Sequence, residues 1–165
     1  MSALAATTLV DLRDRDVLAG VARWPGIARW VLPVVFWLRA VTDPIVLPSH
    51  LLSKMHAIAN DPELAGLCGR DPLGGATRLP MRFFRSAAPA DPALEPEHFD
   101  RPVLIVHPAE DHMTDIRFTR RSVERLGDRA RLVELEGCGH FPIEEPGAGV
   151  LRETVIEFSR QVTKG

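Results

Sequence analysis

Apolar residues recur at helical spacing through the first half of the chain and gather into short continuous runs in the second. Ile27, Trp30, Val34, Trp37 and Val41 share one helical face, broken by Pro25 and Pro33, so residues 17–41 are predicted to form kinked helices with a wide apolar face. Residues 42–48 read as a proline-bounded loop. Ser49 then serves as a candidate N-cap for a helix carrying Leu51, Met55 and Ile58 on one face. Asn60 and Asp61 before Pro62 give a cap followed by proline at the first helical position, with Gly69 as terminator. Leu79, Met81, Phe83 and Phe84 place a further helix in 76–87, and the stretch APADPALEPEHFDRP (88–102) has the proline and acid content of a linker.

The strongest strand signal is VLIVH at 103–107, a β-branched apolar run of the kind found in a parallel strand covered on both faces. Ile116, Val123 and Leu126 follow on a helical stripe closed by Gly127, and RLVEL at 131–135 is a second short strand. Strand, helix and strand make a parallel βαβ unit. Leu151, Val155, Phe158 and Val162 then mark an amphipathic helix that packs on the sheet. Near the start, LAATTLVDL (4–12) suits a short buried strand that requires neighbours.

Composition narrows the function more than the fold. The 165 residues are 45% hydrophobic and 25% charged with a net charge of -2, which fits one globular domain or one piece of a larger one. Lys and Arg are not clustered, so no nucleic-acid partner is expected. Cys68 and Cys138 lack disulfide or zinc spacing, and the histidines at 50, 56, 98, 107 and 112 form no ligand set, so no metal or cofactor is expected. The N-terminal residues lack a secretory pattern, and the apolar run at 30–38 is shorter than the ~20 residues a bilayer span takes. A cytoplasmic setting is the expectation.

Parallel strands deliver their following loops to one edge of the sheet, where catalytic groups collect. The loop after VLIVH contains Glu110 and Asp111, and the loop after RLVEL contains Cys138 and His140. An acid and an imidazole at adjacent strand ends can form the orienting half of a catalytic triad. Asp111 is the candidate acid, with Glu110 one register away and Asp115 closer to the helix start. His140 is the candidate base. Cys138 lies on the same tight loop as His140, which suits a small buried residue better than a nucleophile facing its base.

These segments resemble the α/β-hydrolases of the lipase, esterase and serine-aminopeptidase kind. The family pattern P-V-L-x-V-H-G followed by the triad aspartate is matched from Pro102 to His107 and Asp111, with Pro108 where glycine is usual. The family's G-x-G-H-F-P-x-E-E-P segment is matched by GCGHFPIEEP with His140. The resemblance implies an α/β fold consisting of the C-terminal portion of a hydrolase, a few parallel strands with flanking helices plus a helical cap. Residues 1–16 would supply a core strand, 17–100 the cap or lid, and 101–165 the core with the acid and histidine loops. It implies serine-hydrolase chemistry on a small apolar ester or lipid-like substrate, with the surplus apolar surface at 30–38 lining an acyl pocket.

The family nucleophile sits in G-x-S-x-G, upstream of the acid and the histidine. Neither that motif nor an H-G-G-G-like oxyanion segment occurs here. The chain is therefore expected to be inactive alone, its nucleophile coming from a longer reading frame or from a partner chain. A non-catalytic binding fragment that self-associates through an exposed sheet edge is the rival reading.

Overall fold

LAAT at the start of the 4–12 segment does form a strand, β1 (Leu4–Thr7), in a computed structural model that describes residues 3–164. It is shorter than the sequence suggests, because Thr8 takes a φ of 50°, a left-handed conformation that a β-branched residue adopts only under strain. The strand is also mostly exposed where burial was expected: among the described residues it pairs along one edge alone. The chain divides into two compact units, residues 11–91 on one hand and 1–10 with 92–165 on the other.

The unit at 11–91 is largely helical. Asp14 caps α1 (Arg15–Val21) by accepting from the Asp16 N–H, and Pro25 occupies the first turn of α2 (Pro25–Trp37), where its missing N–H costs nothing. The chain continues into α3 (Arg39–Thr42), so helices fill most of 17–41 as expected, but α2 runs on through Pro33, where an interruption was expected, and the breaks fall at residues 22–24 and at Leu38. Their shared apolar stripe is not buried within the described residues: Ile27, Trp30, Val34, Trp37 and Val41 are all exposed.

The loop expected at 42–48 instead ends in β2 (Val46–Pro48), and the helix expected from Ser49 runs for one turn, α4 (Ser49–Leu52). Two long-range demands interrupt it. The Ser49 hydroxyl donates to the Gly75 carbonyl at 2.8 Å rather than capping a helix, and the Leu52 carbonyl accepts from Arg23 N at 2.9 Å. Beyond the break, Met55–Ala57 form a single 3-10 turn.

The capping pattern around Asp61 holds as expected. Its carboxylate accepts from Glu63 N and Leu64 N at the start of α5 (Pro62–Arg70). The single helix expected at 76–87 is instead a strand, β3 (Arg78–Pro80), followed by α6 (Met81–Ala87). β3 pairs antiparallel with β2, and only that pairing selects extended backbone there. Arg85 of α6 clasps Asp43 at 2.8 Å.

The other unit contains the sheet. VLIVH forms β4 (Val103–Pro108), parallel to β1, and after α7 (Ile116–Leu126) the chain returns as β5 (Ala130–Leu135), parallel to β4 on its other side. The sheet order is β1-β4-β5. α8 (Gly147–Lys164) completes the unit. Every residue of β4 is buried, and its alternating side chains enter two clusters. Leu104 and Val106 pack with Leu135, Cys138 and Phe158, joined by Leu151 and Val155 of α8. Val103 and Ile105 pack with Leu126, joined by Val123 of α7 and by Phe99. Cover on both faces explains the unbroken apolar run, since each such side chain contributes about 1.5–3 kcal/mol by leaving water.

Candidate active site

β4 and β5 are parallel neighbours, so the loops that follow them meet at one edge of the sheet. The first loop is anchored by Ala109 N, which donates to the Leu135 carbonyl at 2.8 Å. It turns on Asp111. Asp111 Oδ1 accepts from Met113 N at 2.9 Å and from Thr114 N at 2.7 Å, a local turn that an aspartate side chain builds with its own following backbone. Asp111 Oδ2 accepts from His140 Nδ1 at 2.8 Å. The carboxylate is fully buried, while His140 keeps 26% of its side chain exposed.

The second loop has backbone requirements that explain its glycines. Gly137 has a φ of 69°, and a Cβ there would stand 2.6 Å from Pro146 Cδ. Gly139 N donates to Glu144 Oε2 at 2.8 Å, so Glu144 braces the backbone immediately before His140. Glu144 and Glu145 stand side by side ahead of the last helix, where an acidic side chain favours the helix start. Glu145 caps it, accepting from Gly149 N at 3.0 Å. Glu144 instead serves the histidine loop, a contact that only the return of the chain through Pro142 and Pro146 creates.

The competing acids separate cleanly. Glu110 is exposed, and Asp115 caps α7 by accepting from Arg117 N at 2.9 Å. Asp111 is the carboxylate that meets His140. Cys138 lies buried in the α8-facing core, and burial pushes its thiol pKa up, with the charges of Glu144, Glu110 and Asp111 adding to the effect. A disfavoured thiolate is a poor nucleophile, so Cys138 packs rather than reacts. Two residues that sequence reasoning did not connect lie beneath the pair. His107, the last residue of VLIVH, is buried with its Nδ1 3.0 Å from Thr119 Oγ1. Its position at the strand end was the available signal.

With Nδ1 committed to a buried carboxylate, His140 is held in the tautomer that leaves Nε2 to accept a proton. The hydroxyls of Ser49, Ser53, Ser86 and Ser159 are engaged elsewhere, each donating to a backbone carbonyl.

No protein-family model matches the sequence, and no curated protein matches it. Solved structures do. The monoacylglycerol lipase of Paleococcus ferrophilus superposes with a TM-score of 0.61 at 19% identity, covering 94% of this chain and 57% of that one. A soluble variant of monoglyceride lipase from Saccharomyces cerevisiae, in complex with a substrate analog, superposes with a TM-score of 0.60 at 14% identity, covering 87% of this chain and 49% of that one. The fold is α/β, a parallel sheet flanked by helices, and it matches part of the fold of those two lipases. This chain spans about half the length of those two proteins. The Asp111 and His140 loops take their common edge from the parallel pairing of β4 with β5. No described helix is long and apolar enough to cross a membrane.

Proposed function

We propose that this chain supplies the general base and the orienting acid of a serine hydrolase, His140 and Asp111. The observation that carries the reading is the 2.8 Å hydrogen bond from His140 Nδ1 to a fully buried Asp111 carboxylate at the carboxyl edge of a parallel sheet. The carboxylate would hold the imidazole in register and stabilise the imidazolium formed when Nε2 takes the nucleophile's proton. The substrate class is an ester with an apolar acyl or alkyl group. It is supported by structural neighbours that are monoacylglycerol lipases and by the apolar helices at 17–41, which in this reading belong to a cap spanning residues 17–100.

In the same reading the 165 residues are inactive alone. No G-x-S-x-G occurs in the sequence, so the attacking hydroxyl and the oxyanion donors come from additional sequence or from a partner chain. The purified chain should show no turnover of p-nitrophenyl butyrate and no labelling by a fluorophosphonate. Labelling on a serine of this chain would overturn the missing nucleophile. An in-frame G-x-S-x-G in the DNA upstream of the Met1 codon, whose inclusion restores turnover that His140→Ala abolishes, is the supporting result. The rival reading, a non-catalytic fragment that self-associates, draws on the exposed apolar strand β1 with Leu4 at its start. Sedimentation as a monomer at micromolar concentration would remove it.

A further inference from the structure

A buried carboxylate is costly unless hydrogen bonds and dipoles surround it. Among the described residues, Asp111 Oδ1 has two backbone N–H donors, whereas Oδ2 has one hydrogen bond, from His140. A second imidazole lies near Oδ2, with His107 Nε2 at 4.0 Å. That is too long for a hydrogen bond, so the contact is electrostatic and depends on whether Nε2 carries a proton or a lone pair.

Burial disfavours the charged form of His107. It pushes the pKa down, as the charge on His140 also would, against the upward pull of Asp111, Glu134 and Asp115. A neutral ring has a single N–H, and its other nitrogen sits 3.0 Å from Thr119 Oγ1, itself buried on α7. The threonine hydroxyl can donate or accept. If it donates to Nδ1, the ring proton is at Nε2 and its dipole faces the Asp111 carboxylate. If it accepts, a lone pair on Nε2 faces the negative oxygen, which is unfavourable in a dry interior.

We propose that Thr119 and His107 extend the Asp111–His140 pair inward: the Thr119 hydroxyl fixes His107 as its Nε2–H tautomer, and that N–H is turned toward Asp111 Oδ2. His107 is then a positioning residue, acting on His140 through the carboxylate it helps to hold. The role rests on the reading of Asp111 and His140 as acid and base.

Imidazole nitrogen NMR of the 165-residue chain at pH 7.5 tests it without any need for turnover. The expected spectrum shows His107 as Nε2–H. A dominant Nδ1–H form, with the proton given to Thr119, would overturn the proposal outright. Thr119→Val removes the donor to Nδ1: the Nε2–H form, which the Asp111 carboxylate also favours, should persist with the unprotonated Nδ1 resonance shifted downfield, and an unmoved Nδ1 resonance would remove Thr119 from the scheme. His107→Phe deletes the donor while His107→Gln retains one. The His140 Nδ1 proton should exchange with solvent about threefold faster in His107→Phe, less than the loss of a full hydrogen bond would give, and near the wild-type rate in His107→Gln. Equal exchange in all three proteins would overturn the positioning role. Should His107→Phe fail to fold, the wild-type tautomer and Thr119→Val still decide. Asp111→Asn separates this inference from the one beneath it. If that variant leaves His140 unchanged, the acid–base reading falls; if it alters His140 while the His107 variants do not, only the inward extension falls.

Discussion

Asp111 divides its two oxygens between two tasks, one binding its own loop and the other His140. Under the proposed assignment, replacing it should therefore affect catalysis through the tautomer of His140 rather than through substrate binding. In a nucleophile-bearing form of the protein, Asp111→Asn should lower kcat by about 10³–10⁴-fold, as in triads whose acid becomes an amide, with little change in KM. Glu110→Gln should stay within about threefold, because its exposed carboxylate stands outside the hydrogen bond that orients His140. Steady-state kinetics on the two variants checks the assignment. The buried His107 also has a pH signature. Its folded pKa lies below the ordinary 6.5, so the unfolded chain takes up this proton first. Its contribution to stability is complete above about pH 6.5 and is lost as pH falls from there toward the folded pKa. The melting temperature should drop between pH 7.5 and pH 5.5, and His107→Gln should flatten that slope. The depressed carboxylates Asp43 and Glu97 act in a lower window, below their ordinary 3.8 and 4.5.

Among the connecting elements, the turn from β5 into α8 has the least freedom. Gly127, after α7, has a φ of 63° but open space where a side chain would stand, so Gly127→Ala should cost about 1–3 kcal/mol through backbone strain alone. Gly137 has similar strain and Pro146 against it, so Gly137→Ala should cost more. Gly147 differs again. A Cβ there would collide with Cys138 Sγ and stand 2.8 Å from Cys138 Cβ, so the clash belongs to the pair. Gly147→Ala should destabilise strongly, and adding Cys138→Ala should recover part of the loss. A double-mutant cycle in denaturant midpoints gives that coupling directly, and simple additivity would show that the contact is not shared. The same region explains why α8 begins at Gly147: Glu145 caps its first turn, and the small residue lets the helix approach the buried thiol.

The two units differ in how they should respond to proteolysis. Residues 89–94, rich in proline and exposed throughout, lie across the boundary between them. Limited digestion with a broad-specificity protease should cut there first, while amides of β4 stay protected, because that strand is buried on both faces and paired along both edges. First cleavage within 103–135, read by mass spectrometry, would contradict this. The stripe of Ile27, Trp30, Val34, Trp37 and Val41 has helical periodicity, yet the described residues leave it exposed.

Much of the sheet-bearing unit was legible in the sequence because its signals are local. VLIVH, the stripe closed by Gly127, RLVEL and the final heptad-like spacing each encode an element whose burial pattern repeats within a few residues, and the strand-helix-strand order then fixes where the following loops meet. That reasoning named Asp111 and His140 and placed them side by side. It named Asp111 and kept Glu110 as a competitor one register away; what separates these adjacent residues is the turn closed by Met113 and Thr114, which the sequence does not show. Nor could it find β2 and β3, or the break after Leu52, because these short strands exist only through partners distant in the chain, as Val46 is from Pro80. The buried contact of Thr119 with His107 and the partly buried one of Glu144 with Gly139 were invisible for the same reason. Periodicity and capping are written in neighbouring residues, whereas the satisfaction of buried polar groups is settled only when distant segments close on one another.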